Sequence, residues 1–289
     1  KVASAVGGSA GNVLAALAYL GWNSVPVCEL GKDTAGKQVV EEFKSLNADL
    51  RFMVETENAY TPVIYQTPAD FPETHSFSFS CPHCGERKGF AAPIDDSLSD
   101  SVLEKVPTPS VYYFDRITSV SLSLAEEYRA KGVLVVFDPS VTPTDPEQFQ
   151  RAVSASHILK YADNRFSSFP YDVSKVILQI KTKGSHGLDF RLPGKLGTWT
   201  SLPAIKIVKV ADTAGAGDWC TAGMLATLFE VGTKSYLHMT YQSAFEALRY
   251  GQSLAALNCM YTGARGVTNR WGAKQIRHLA TELLARPSS

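Results

Sequence analysis

From residue 110 onward the chain alternates short apolar runs with stretches of helical period. VYYF (111–114), VLVVF (133–137) and VILQI (176–180) are the runs, and Ser123–Ala130 and Pro146–Ser154 are helical stretches between them. Strand, helix and next strand in repetition is the signature of βαβ units, which close into a doubly wound, mostly parallel sheet covered by helices on both faces. In such a sheet the ligand sits beyond the carboxyl ends of the strands. Asp115 and Asp138 directly follow the first two runs and fall at that end.

The flanking segments extend the pattern. Ser9–Leu20 places Val13, Leu14, Leu17 and Leu20 on one helical face, and Gly21 stops it. A short strand is expected at Val25–Cys28, a helix at Gln38–Leu46, and extended strands across residues 50–67, which are rich in β-branched and aromatic side chains. Residues 68–100 resist regular assignment. Downstream, a strand-like run (Ile205–Val210) leads into a helix from near Asp218 to Gly232, with Trp219, Ala222, Leu225 and Phe229 as its buried stripe. Helices at Tyr241–Asn258 and Ala273–Ala285 complete the chain.

The junction before that helix carries the chemistry. In VADTAGAGDWCTAGML, small residues (Gly215, Ala216, Gly217) crowd against a helix start. Such a turn aims backbone N–H groups outward, and the helix dipole adds roughly half a positive charge at the same end. The result is an anion hole fit for a transferring phosphoryl group. Asp218 at its edge is placed to take a proton from an attacking hydroxyl. Taken alone, Gly-Ala-Gly-Asp is also what an ordinary capped helix start contains.

Composition limits the rest. The chain has 289 residues, 28 Lys plus Arg against 28 Asp plus Glu, and so no net charge. No global basic field draws in nucleic acid or an anionic membrane. No apolar run reaches the roughly 18–20 residues that span a bilayer, and no signal-peptide pattern is visible. Cys28, Cys220 and Cys259 sit in apolar segments and read as reduced core residues, which points to the cytoplasm. The chain opens KVASAVGG without Met, so a preceding segment is expected.

The long motif tips the balance at the helix start. DTAGAGD (212–218) resembles the C-terminal signature of the ribokinase-like (PfkB) sugar kinase family, D-T-x-G-A-G-D. GGSAGNVLAALAYLGW (7–22) resembles its N-terminal signature, ELGKDTAGKQVVEEFKSLNAD (29–49) its G-x-D-x-x-G continuation, and TKGSHGL (182–188) its nucleotide loop. The resemblance covers most of the chain outside about residues 68–100. It implies a ribokinase-like α/β fold with a small β-sheet lid: residues 1–49 and 100–289 as the nucleotide- and substrate-binding core, and 50–99 as lid strands plus an irregular CxxC-containing insertion. It implies ATP-dependent phosphorylation of a sugar hydroxyl, with MgATP as phosphoryl donor. A nucleoside kinase on the same fold and a catalytically weak sugar- or nucleotide-binding regulatory protein are the alternatives.

The resemblance also distributes roles. Asp218 becomes the general base, and Gly215, Ala216 and Gly217 the anion hole. Gly7, Gly8 and Asn12 bind the sugar; the alternative for Asn12 is a cap on its own turn. Thr182, Gly184 and Gly187 line the nucleotide phosphates, and Asn258, Gly263 and Ala264 the adenine side. Asp212 either caps its turn or helps hold a monovalent cation such as K⁺. Family lids often pair, so a homodimer through the lid is implied.

Two features stand outside the pattern. The family's N-x-x-E after a central strand aligns here with LKYADNRFSS (159–168), which puts Ala162 and Arg165 at the named positions and leaves Asp163 and Asn164 beside them to substitute, with Asp163 as the Mg²⁺ candidate. In CPHCG, Cys81 and Cys84 have the spacing of half a zinc knuckle, without the second pair that a structural site needs. A plain solvated loop, a zinc site within one chain and a site shared between two chains are the readings open to that pair.

Overall fold

The computed structural model describes residues 4–57, 59–68, 75–89, 95–166, 169–194, 197–230 and 235–285. The chain forms two compact units, one of Lys1–Ile94, Ile207–Ala222 and Ser253–Pro287, the other chiefly Asp95–Lys206 and Gly223–Gln252.

The second unit holds the sheet that the alternation predicts. Its strands are β5 (Val111–Phe114), β6 (Leu134–Phe137), β7 (Ile158–Ala162), β8 (Leu178–Thr182), β9 (Leu188–Arg191) and β10 (Thr200–Leu202), in the order β10-β9-β8-β7-β6-β5. β5 to β8 run parallel, β9 runs antiparallel to β8, and edge strand β10 runs antiparallel to β9. All of β6 and most of β7 are buried, as a parallel strand covered on both faces must be. Helices α3 (Ser97–Lys105), α4 (Ser119–Ala130) and α5 (Pro146–Ala155) belong to the same unit, and α4 packs on β5 and β6. Their starts are encoded locally: Thr118 and Ser121 close a capping box on α4, and Asp145 followed by Pro146 starts α5.

The first unit carries α1 (Ser9–Tyr19), β1 (Cys28–Gly31), α2 (Thr34–Ser45) and β2 (Met53–Thr56), with β1 and β2 paired in parallel. β3 (Tyr65–Pro68) and β4 (His75–Ser78) form a separate antiparallel pair. The GKDTAG motif is explained here. Asp33 caps α2 through the Gly36 N–H (2.7 Å) and accepts from the Thr61 N–H (3.0 Å), while Thr61 Oγ1 accepts from the Gly31 N–H (3.0 Å). A Cβ on Gly36 would lie 2.1 Å from the Gly31 oxygen, so the two glycines let strand and helix meet. Partial burial raises the Asp33 carboxyl, but these hydrogen bonds outweigh it and hold it below its ordinary value. Asp33→Ala is expected to cost about 2–3 kcal/mol, from a lost cap and an orphaned Thr61 N–H. Because the folded carboxyl is depressed, that difference is full at neutral pH and shrinks as pH falls through the folded value; urea titrations at pH 7 and pH 3 check it.

Three expectations are corrected. Strand β1 begins at Cys28 rather than ending there, because its partner β2 lies opposite Cys28–Gly31 only. Ile205–Val210 is not a strand: Lys206 and Lys209 break the apolar run without a period of two, it joins no sheet, and Val208 is 97% exposed. Helix α6 (Ala216–Glu230) has no single buried stripe, since Trp219, Cys220, Thr221, Ala222, Met224 and Leu225 are all buried, as in a helix enclosed on every side. The stretch 68–100 also holds more order than expected. HSFSFS alternates with period two and supplies β4. Helices α7 (Tyr241–Cys259) and α8 (Ala273–Ala285) lie where the helical period put them. Among the described residues no helix is long and apolar enough to cross a membrane.

Candidate active site

The Asp212–Asp218 turn is pinned before it reaches α6. Asp212 is buried, with one carboxylate oxygen accepting from the Ala214 N–H (2.9 Å) and the other from the Gly263 N–H (2.8 Å). Gly215 adopts φ +74, and a Cβ there would meet the Ala264 oxygen at 2.1 Å. That oxygen is itself fixed, accepting from Trp219 Nε1 (3.1 Å) and Asn258 Nδ2 (3.2 Å). The Ala216 N–H closes the turn on the Thr213 oxygen (3.2 Å). Gly217 and Asp218 follow in the first turn of α6, where backbone N–H groups have no acceptor within the helix. Gly217 is exposed.

Asn258 is the brace of this arrangement. It is fully buried, and Nδ2 also donates to the Ala214 oxygen (3.1 Å), while Oδ1 accepts from the Val267 N–H (3.3 Å). One side chain therefore ties the turn before α6 to the Gly263–Val267 loop after α7.

Asp218 is oriented from the other end of the chain. Asn12, in α1, donates from Nδ2 to Asp218 Oδ2 at 2.7 Å. The Arg265 guanidinium donates to Asn12 Oδ1, to the Val6 oxygen (2.7 Å) and to the Glu42 carboxylate. The polar chain Glu42–Arg265–Asn12–Asp218 thus fixes which end of the Asn12 amide faces the carboxylate. Gly7 and Gly8 precede α1, exposed, with open space where a Cβ would stand and Gly8 at φ +84. Arg265 and Glu42 escaped the sequence-based site. An arginine one residue past the Gly-Ala pair was the visible signal, but no local spacing links it to a glutamate 223 positions away.

The remaining predicted residues are divided between the units. Thr182, Gly184 and Gly187 belong to the second, at the end of β8. Gly187 has φ +94, and a Cβ there would strike the Leu202 oxygen at 2.1 Å; the Lys183 N–H donates to the Gly187 oxygen at 2.8 Å. Asp163 lies exposed on the 3-10 turn that follows β7, and Arg165 of the same turn donates to the Pro139 oxygen (3.0 Å). One further buried charge was not foreseen: Lys160 of β7 pairs with Asp138 after β6, and Tyr113 Oη donates to the same carboxylate oxygen (3.2 Å). Cys81 and Cys84 belong to the first unit, on the hairpin beyond β4, away from the residues that surround Asp218 in sequence and hydrogen bonding.

The model of the pfkB family carbohydrate kinases matches residues 1–78 and 174–270. The ATP-dependent ribose-1-phosphate kinase of Halopiger xanaduensis is 26% identical over 274 residues, covering 90% of this chain and 82% of that protein. In fold, the chain is similar to the fructokinase of Xylella fastidiosa with bound ATP, at TM-score 0.74 and 19% identity over 96% of this chain and 90% of that one. It is likewise similar to Arabidopsis thaliana ribokinase complexed with ribose and ATP (TM-score 0.70, 19% identity, 99% and 91% covered). The nucleoside kinase of Burkholderia thailandensis in complex with inosine is a third such structure (TM-score 0.70, 18% identity, 98% and 88% covered). With both signature segments inside the matched residues, and the pinned turn and Asp218 at the centre of the second, the chain belongs to the pfkB family of carbohydrate kinases.

Proposed function

We propose that this ATP-dependent carbohydrate kinase uses Asp218 as the general base that activates the acceptor hydroxyl. The observation that carries the assignment is the 2.7 Å hydrogen bond from Asn12 to Asp218, which aims a carboxylate at the rim of a turn braced for an anion. The sugar O–H gives its proton to Asp218 as its oxygen attacks the γ-phosphorus of ATP, and the bond from that phosphorus to the ADP oxygen breaks. Charge gathering on the transferring oxygens is met by the N–H groups of Gly215 and Gly217 and the α6 dipole, while the Ala216 N–H holds the turn between them on the Thr213 oxygen. Catalysis of this kind rests on positioning and charge stabilisation.

The other roles follow from placement. Gly7 and Gly8 offer bare, exposed backbone to the sugar hydroxyls, while Asn12 positions the base. Asp212 and Asn258 brace the hole and the Gly263–Ala264 wall. The Asp212 carboxylate accepts two backbone N–H groups, and with about four acceptor positions on a carboxylate it is also the residue we assign to a monovalent cation such as K⁺. Thr182, Gly184 and Gly187 line the nucleotide phosphates. ATP brings Mg²⁺, which neutralises phosphate charge; Asp163 is the carboxylate we assign to it, and a single exposed carboxylate suits an ion that keeps its waters. Residues 50–99, whose β3–β4 pair is a two-stranded sheet of its own, are the segment we assign as lid. A panel of sugars, sugar phosphates and nucleosides with ATP, scored by ADP formation, tests the assignment and sorts the substrate; no turnover with any of them would contradict it.

Arg265 is proposed as a positioning residue. Arg265→Met is expected to lower kcat about 10²-fold, the scale of a small misplacement of a reacting group, with ATP affinity little changed. Arg265→Lys restores part of the rate if charge and reach matter more than shape. A stability loss with unchanged kcat would assign the residue to folding alone.

A further inference from the structure

The kinase reading gives no role to the two thiols on the hairpin beyond β4. Ser80 and Arg87 form an antiparallel bridge, the Cys81 N–H donates to the Glu86 oxygen (2.8 Å), and the Gly85 N–H returns to the Cys81 oxygen (2.9 Å). Gly85 makes the tight return with φ +74. Both cysteines of CPHCG therefore lie within one tight turn, Cys84 exposed and Cys81 partly so, with neither in a disulfide. A thiol gives up its proton as it ligates zinc, and ligation needs an accessible sulfur. Cys220 and Cys259, by contrast, are buried.

We propose that Cys81 and Cys84 form half of a zinc site, completed by the same two cysteines of a second copy of this chain. Two thiolates fill half of a tetrahedral zinc shell. Among the described residues no group of three or more His, Cys, Asp or Glu is arranged to hold a metal, so the shell is not closed within them. A two-fold axis through the metal supplies an identical pair, and an isologous contact of that kind needs no other complementary surface. Zn²⁺ would displace the thiol protons from the pairs, and the centre with four thiolates would carry a charge of about −2. Arg87 and Lys88 follow directly on the same hairpin in each copy and offset it. Soft thiolate ligands in this arrangement select zinc over the hard Mg²⁺ that accompanies ATP.

The test uses the whole chain, purified reduced and then given Zn²⁺. Elemental analysis and light scattering are expected to show one zinc per two chains in a dimer, which a chelator returns to monomer. Cys81→Ser and Cys84→Ser should each abolish zinc retention and the dimer. Their circular dichroism and their ATP turnover should match the parent, which separates loss of the site from loss of the fold and from any failure of the kinase assignment. One zinc per monomer would place the remaining ligands in the same chain and overturn the shared site. No zinc above background, or a mass two hydrogens lighter from a Cys81–Cys84 disulfide that excludes metal under reducing conditions, would overturn the site itself.

Discussion

Asp218→Ala is expected to lower kcat by about 10²–10⁴-fold, the usual contribution of a positioned general base. ATP affinity should stay near its parent value, because Asp218 accepts a proton from the other substrate and the N–H groups of the hole remain. The substitution also leaves Asn12 Nδ2 without the acceptor it holds at 2.7 Å, so a small stability cost accompanies the rate loss. Isothermal titration with ATP, beside steady-state rates, separates the two. A variant that retained more than about a tenth of the parent kcat would remove Asp218 from the base role, since a base is worth far more than that.

The second large effect is expected at Gly215. Alanine there meets two obstacles. The backbone sits at φ +74, where an L side chain is strained, and the new Cβ would lie 2.1 Å from the Ala264 oxygen and 2.8 Å from its carbon. That oxygen cannot yield, because Trp219 Nε1 and Asn258 Nδ2 both donate to it. The turn must move instead. Gly215→Ala is therefore expected to cost about 2–4 kcal/mol of stability and, with the anion hole displaced, about 10²–10³-fold in kcat. Thermal unfolding and single-turnover rates check both parts. A rate loss without a stability loss would mean that the loop accommodates the methyl group and that the fixed Ala264 wall is less rigid than its hydrogen bonds imply.

How much of this was legible beforehand depends on the range of the interaction concerned. Strands β5, β6 and β8 and helices α4 and α5 are written in local period and appeared close to where the apolar runs put them, whereas β7 (Ile158–Ala162) was not among those runs. Local chemistry also marked Asp33 and Gly36, since a capping carboxylate and a bare backbone are needed within a few residues of each other. Ile205–Val210 misled because an apolar, β-branched run signals a strand only if a neighbour is free to pair, and neighbours are a property of the whole chain. Strand β4 was hidden for the opposite reason: its serines and proline-rich surroundings masked a period-two pattern. At the site, the motif pointed to the turn and to Asp218, but the brace from Asn258 and the Glu42–Arg265–Asn12 relay join segments far apart in the chain. Nothing in the spacing of those residues announces the contact; it exists because α1, α2 and the loop after α7 share one compact unit.

The most direct test of the account is product analysis. The chain is incubated with MgATP and each member of the sugar and nucleoside panel, and phosphorus NMR reads where the phosphate goes. The account predicts ADP and a new phosphate ester on one hydroxyl, in equal amounts, with at least one acceptor and with neither formed by Asp218→Ala at a comparable rate. ADP accompanied by inorganic phosphate regardless of acceptor, or ATP bound and never consumed, would contradict it.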